Sequence, residues 1–254
     1  SPLDHILTKS VLRFGSAFIV HSHSNREELI KHFSISDTAI HVIHMPVHDM
    51  YEGRRVNKVE ARRNIGLPVE GDVILNFGNL REYKGVDQLI EAMPLILRDI
   101  PTAHLLIAGQ NWGSWARYDR LIERLELKEQ ITKVLRYIPM SEVRNYFHAA
   151  DLVALPYKKF DAQSGVGNIA LSFEIPMVVT RVGGLPELVK DERAVCEPNN
   201  PIALAETIKS ILLDRHLYSK LRGDAGALKR TYSWAAAVKS TVTIYRQLVD
   251  NNAH

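Results

Sequence analysis

The chain has 254 residues, 46% of them hydrophobic and 24% charged, with a formal net charge of +3, which is enough for one complete α/β domain plus part of another and for an ordinary packed core. Lys and Arg are interspersed with Asp and Glu, with no basic block interleaved with aromatics, so nucleic acid is not an expected partner. The single cysteine, Cys196, excludes an internal disulfide and a multi-thiolate metal site, and makes a reducing, cytoplasmic setting the default.

Residues 1–5 lack the charged and apolar regions of a signal peptide, and no apolar run approaches the roughly 20 residues that span a bilayer. Any work at a membrane is therefore expected to be peripheral, at its inner face. Ala17–His21 reads as a strand, followed by a helix capped by Ser24 with Glu27 completing a capping box. Ala39–Ile43 reads as a second strand, and the turn-rich stretch from His44 to about Val59 as a linker. A new cycle starts with a strand at Val73–Phe77 and a helix carrying Val86, Leu89, Ile90, Met93 and Ile96 at helical spacing, with a kink expected at Pro94. The alternation continues with strand Ala103–Ala108, helix Tyr118–Leu127, strand Ile131–Tyr137, helix Ser141–Ala149 and strand Leu152–Pro156. Helix Gly165–Phe173 and strands Met177–Arg181 and Ala194–Glu197 follow. From Pro201 the pattern is helical only, ending in a long helix from Trp234 to about Asn251. Strands alternating with helices imply a Rossmann-like parallel sheet with helices on both faces.

Ligands of such sheets bind beyond the carboxyl ends of the strands, where five loops carry suitable residues. In Gly78–Gly85, Arg81 and Lys84 offer a planar fork and a point charge, a combination suited to a diphosphate. Gly109, Gln110 and Trp112 follow the next strand, and Tyr137 and Ile138 could line a base pocket. The Pro156–Asn168 loop runs into a helix capped by Ser164, and the amides of Gly165, Val166 and Gly167 make a natural anion site there. Val182–Glu187 is a further glycine turn. Each loop alone also reads as an ordinary solvated turn or capped helix; their weight lies in sharing one sheet edge. Among the eleven histidines, His21, His23, His41 and His44 lack a clear set of further ligands at metal spacing, so no metal site is expected. Asp151 is expected to orient a turn at a strand start.

Three stretches give this pattern a family resemblance: Phe77–Gly85, His148–Tyr157 and Pro176–Glu187. Together they resemble the GT-B retaining glycosyltransferases of the group 1, or family 4, type. The resemblance implies the C-terminal half of a GT-B fold, with residues 1–48 a remnant of an N-terminal acceptor domain. Residues 49–233 would be the donor-binding domain and residues 234–254 a helix crossing back to the acceptor side. The implied activity is sugar transfer from a UDP-sugar or GDP-sugar to a glycan or lipid-linked acceptor, retaining, metal-independent and without a cofactor. Arg81 and Lys84 would be catalytic, neutralising the diphosphate. Gly78, Asn79, Gly109, Gln110, Tyr137, Ile138, Asp161, Gln163, Ser164, Gly165, Val166, Gly167 and Asn168 would bind the donor. Many members carry an arginine where this chain has Asn79, and two glutamates at the positions of Asp161 and Ile169.

Those departures motivate an alternative, an inactive donor-site remnant serving as a binding or regulatory module. A sugar-nucleotide epimerase would need a complete two-domain chain. A nicotinamide dehydrogenase would need a Gly-x-Gly-x-x-Gly turn, which is lacking.

Overall fold

The computed structural model describes residues 2–47, 50 and 56–251. Helix α1 (Pro2–Leu12), strand β1 (Phe18–Val20), helix α2 (His23–Phe33) and strand β2 (Ile40–Val42) form a small first unit. β1 and β2 pair in parallel, Phe18 opposite Ile40, as a sheet of their own. The cap of α2 is Ser22, two residues before the expected Ser24: its hydroxyl accepts the Asn25 amide at 3.1 Å. Ser22 keeps the extended backbone that a capping residue needs.

Helix α3 (Lys58–Asn64) follows, within the end of the expected linker; residues 48, 49 and 51–55 of that linker lie outside the described residues. The second unit then alternates β3 (Val73–Phe77), α4 (Val86–Asp99), β4 (His104–Ala108), α5 (Ala116–Arg124), β5 (Ile131–Val134), α6 (Met140–Ala149), β6 (Leu152–Leu155), α7 (Gly165–Ser172), β7 (Met177–Thr180) and β8 (Val195–Cys196). Helices α8 (Pro201–Leu213), α9 (Arg215–Thr231) and α10 (Trp234–Asn251) close the chain.

Among the described residues the second sheet is parallel, ordered β5-β4-β3-β6-β7-β8. The chain builds outward from β3 through β4 to β5, then returns to lay β6 on the other side of β3. That reversal opens a crevice at the carboxyl ends of β3 and β6, where doubly wound sheets bind ligands.

Every residue of β3, β4, β6 and β7 is buried, as expected when helices cover both faces. The pleat sorts the side chains. Ile74, Leu105, Ile107, Leu152 and Val178 meet Leu89, Met93 and Ile96 of α4 and Ile208 of α8. Leu75, Phe77, Leu106, Val153 and Val179 meet Phe147 of α6 and Leu171 of α7.

α4 runs on through Pro94. The proline removes the hydrogen bond that the Ile90 carbonyl would accept, yet Ile90, Met93 and Ile96 are fully buried. Packing on the sheet outweighs the local cost. β5 stops at Val134, short of the expected Tyr137, leaving Tyr137 and Ile138 in the loop that follows. After Gly183 and Gly184 comes a single 3-10 turn, Pro186–Leu188. α10 lies beside the first unit: Ile244 is buried, and Lys239 and Gln247 share a cavity wall with Arg26 and His41.

Candidate donor-phosphate site

The loops after β3 and β4 are laced together. The Gly78 amide donates to the Ala108 carbonyl at 2.9 Å, Leu80 N to Gln110 O at 2.8 Å, and Trp112 N to Leu80 O at 3.1 Å. The approach is close enough that a Cβ on Gly109, which sits at φ +144°, would overlap the Gly78 carbonyl oxygen. Gly109→Ala is therefore expected to spread the two loops and weaken anion binding at least tenfold with the sheet intact, measured by calorimetry beside circular dichroism. Gly85, at φ +68°, lies equally close to the Pro156 carbonyl, which draws the loop after β6 onto the same rim.

Together these loops and the Tyr137–Ile138 loop enclose a cleft of about 460 Å³. Phe77, Gly78, Asn79, Arg81 and Lys84 line it from β3, Gly109 and Gln110 from β4, and Tyr137 and Ile138 from β5. Tyr157, Phe160, Ser164, Gly165, Val166 and Ile169 line it from β6 and α7.

Lys84 is the chemical centre of this cleft. It is 6% exposed and pairs with no carboxylate among the described residues. Its ammonium donates to the Tyr157 hydroxyl at 2.9 Å and lies 4.8 Å from the centre of that ring. Burial pulls its pKa down to about 8, because desolvation disfavours a charge without a counter-ion. A buried cation beside an open cleft is an arrangement that can accept an anion.

The Tyr157 hydroxyl is also 3.1 Å from Ser164 Oγ, which accepts the Gly167 amide at 3.3 Å and so caps α7. Burial pushes the Tyr157 phenol up to about 12, so it remains a neutral hydrogen-bonding link. The amides of Gly165 and Val166, free of acceptors among the described residues, complete the helix start. At the rim, the Arg81 guanidinium lies 5.2 Å over the Trp112 ring, whose indole N–H donates to Asn79 Oδ1 at 3.2 Å.

Four of the expected donor contacts lie off the cleft wall. Asp161 gives its carbonyl to Asn25 Nδ2, and Gln163 Oε1 accepts the Met45 amide at 2.6 Å, so both face the first unit. Gly167 spends its amide on the cap and packs so close to Leu188 that a Cβ would collide with it. Asn168, in the first turn of α7, is fully buried.

Tyr157 carries the link between Lys84 and α7, and sequence reasoning passed over it. Its signal was its place two residues beyond a buried strand. Tyr83 and Phe160, stacked at 5.8 Å, flank it edge-on.

The fifth loop serves the unit junction. Burial opposes ionisation of Glu187, but hydrogen bonds from His44 and from the His23 and Ser24 amides outweigh it and hold the carboxyl below its usual range. The ligand-capable atoms of His23, His44 and Glu187 lie within 4.8 Å of one another, a meeting that sequence spacing did not reveal. Glu187 accepts amides at the start of α2, and His44 stacks on Tyr232 at 4.3 Å, so the trio joins α2, the segment after β2 and the loop after β7. Among the described residues no helix is long and apolar enough to cross a membrane.

Comparison with known proteins bears on the family and the fold. The family description "Glycosyl transferases group 1" matches residues 57–226. A D-inositol 3-phosphate glycosyltransferase of Corynebacterium glutamicum is 27% identical over 242 residues, covering 91% of this chain and 57% of the relative. An uncharacterized glycosyltransferase of Methanocaldococcus jannaschii is 28% identical over 237 residues, covering 89% and 58%. The chain thus spans a little over half the length of these relatives. Anabaena HepE, solved in complex with UDP, superposes with a TM-score of 0.83 at 20% identity, covering 98% of this chain and 68% of that one. Sucrose-phosphate synthase of Thermosynechococcus elongatus gives a TM-score of 0.78 at 23% identity, covering 99% and 63%. Its sheet is the Rossmann-like sheet of the GT-B fold, and the chain belongs to the glycosyl transferases group 1 family.

Proposed function

We propose that this chain is the donor half of a nucleotide-sugar-dependent glycosyltransferase, binding a nucleoside diphosphate sugar in the cleft around Lys84. The observation that carries the reading is that buried ammonium, without a carboxylate partner among the described residues and linked through Tyr157 and Ser164 to the start of α7. Lys84 and the Gly165 and Val166 amides hold one phosphate, and Arg81 reaches the other from the rim. The Tyr137–Ile138 loop lines the far end, where the base would sit.

When the bond between the sugar's anomeric carbon and the phosphate oxygen breaks, the electron pair leaves on the diphosphate. Fixed positive charge around it lowers the barrier. An acceptor hydroxyl oxygen forms the new bond to the anomeric carbon, and its proton passes to the departing diphosphate oxygen. The chain contains no Asp-x-Asp sequence, so its residues give a metal-assisted departure no support, and the proposal of retention rests on the family resemblance alone. A glycan or lipid-linked acceptor would be bound by the remainder of a longer protein, so the chain by itself is expected to bind donor without transferring sugar. UDP is the first candidate because the structurally similar Anabaena HepE was solved with it.

Calorimetric titration of the chain with UDP, GDP and ADP tests this reading. Saturable binding of at least one is expected, and silence for all three would overturn it. Ile169, which lines the cleft where many family members carry a glutamate, favours a second reading as a donor-site remnant with a regulatory role. Donor binding with no transfer by the full-length protein would select it.

A further inference from the structure

Residues 43–47 run from the first unit toward the linker, and every second amide along them is caught by a different partner. Ile43 N donates to Val20 O at 2.8 Å and Val47 N to Tyr232 O at 2.7 Å. Between them, Met45 N donates at 2.6 Å to the side chain of Gln163. Gln163 is 4% exposed, and its Nε2 is buried without a hydrogen-bond partner. Burying an unsatisfied amide nitrogen is costly, and an apolar side chain of similar size would avoid that cost. What the glutamine gains is the Met45 bond.

Gln163 immediately precedes Ser164, the residue that caps α7 and hydrogen-bonds Tyr157, which in turn accepts from Lys84. Its neighbour Asp161 is tied by its carbonyl to Asn25 of α2. The loop that delivers the anion-binding helix start is therefore fastened on its back to the first unit, and on its front it faces the cleft. We propose that Gln163 is a positioning residue that couples segment 43–47 to the phosphate end of the donor cleft: its bond to Met45 sets the placement of Ser164, and through Ser164 that of the α7 amides and Lys84. The inference rests on the donor reading for its binding consequence, while the coupling itself is measurable without ligand.

Site-resolved amide hydrogen exchange on the chain, with and without UDP, tests it. In ligand-free Gln163→Leu, the Met45 amide is expected to exchange faster, and so is the Gly167 amide that donates to Ser164 Oγ. Gln163→Glu keeps an acceptor oxygen and is expected to restore protection at both. UDP affinity of Gln163→Leu is expected to fall about fivefold. In the unaltered chain, saturating UDP is expected to slow exchange at Met45, although Met45 lies off the cleft wall.

Faster exchange at Met45 with Gly167 unchanged would mean a purely structural bond and would overturn the proposal. So would UDP binding that leaves Met45 exchange unaltered, a result readable even if Gln163→Leu does not fold. If the chain bound no nucleotide, the donor reading would fail on its own, and the Gly167 response without ligand would still decide the coupling.

Discussion

Lys84→Met is expected to abolish nucleoside diphosphate binding, with at least a thirtyfold loss of affinity, while raising the melting temperature. Losing one charge-assisted contact in a desolvated cleft costs about 2 kcal/mol or more, and thirtyfold is roughly that amount. The stability gain has a separate origin. The folded-state pKa of Lys84, about 8, lies below its ordinary value of 10.5. Between those values the unfolded chain binds more protons than the folded one, so stability increases as pH rises through that window. Below pH 8 the whole cost of the unpaired charge is present. Methionine removes the charge and keeps most of the packing. At pH 7 it is expected to raise the melting temperature by about 2–4 °C, the shift that ~1 kcal/mol gives in a domain of this size.

The pH dependence of binding has the opposite sign. The ammonium must be charged to hold phosphate, so affinity stays level below about pH 8 and then falls as pH rises, by up to about tenfold per unit. Calorimetry across pH 7 to 10, beside thermal melts of both proteins, measures all of these effects. A variant both weaker in binding and less stable would make Lys84 a structural residue.

The largest stability effect is expected at Asp151, at the opposite ends of the strands. Arg62, only 2% exposed, pairs its Nη2 with Asp151 Oδ2 at 2.6 Å. The same oxygen accepts the Val73 amide at 2.8 Å, and Lys58 pairs with the other carboxylate oxygen. The remaining guanidinium nitrogens reach the carbonyls of Ala149, Val69 and Gly71. One carboxylate thus pins α3 and the starts of β3 and β6 together.

Asp151→Ala strands a buried guanidinium and an amide, which costs about 3–5 kcal/mol, a large part of the 5–15 kcal/mol typical of a domain. The double variant Arg62→Met with Asp151→Ala is expected to recover much of that loss, since it leaves no buried charge. Urea midpoints for the single and double variants measure it. UDP affinity of whatever remains folded is expected to be unchanged.

The parts of this molecule that were legible in its sequence share a cause. β3, β4, β6 and β7 stand out because strands buried on both faces are mostly apolar, and the helices between them repeat their apolar residues every three or four positions. Once the strands are placed, the strand-end rule alone gathers Gly78, Arg81, Lys84, Gly109, Ser164 and Gly165 at one edge, as the cleft lining confirms.

What stayed hidden depends on which way a loop residue turns. Gln163 and Ser164 are adjacent, yet Ser164 faces the cleft and Gln163 faces Met45. No local pattern separates them. The Glu187 contacts with His44 and α2 join residues more than 140 positions apart, a distance over which periodicity carries no information. The Ser22 cap was displaced because Ser24 with Glu27 imitates a capping box that the chain does not form. α3 lay concealed in an apparent linker because its identity is set by Arg62, a charged residue buried only by virtue of its tertiary partner Asp151.

Lys84, with no carboxylate partner among the described residues, is the proposed anchor for the donor diphosphate. Titrating the Lys84 ammonium by NMR, with and without saturating UDP, measures that claim at the atom itself. Without nucleotide the midpoint is expected near 8. With nucleotide bound, the phosphate supplies the missing counter-charge and the midpoint should rise by at least about one unit. A midpoint that does not move while UDP demonstrably binds would place the diphosphate elsewhere and contradict the assignment.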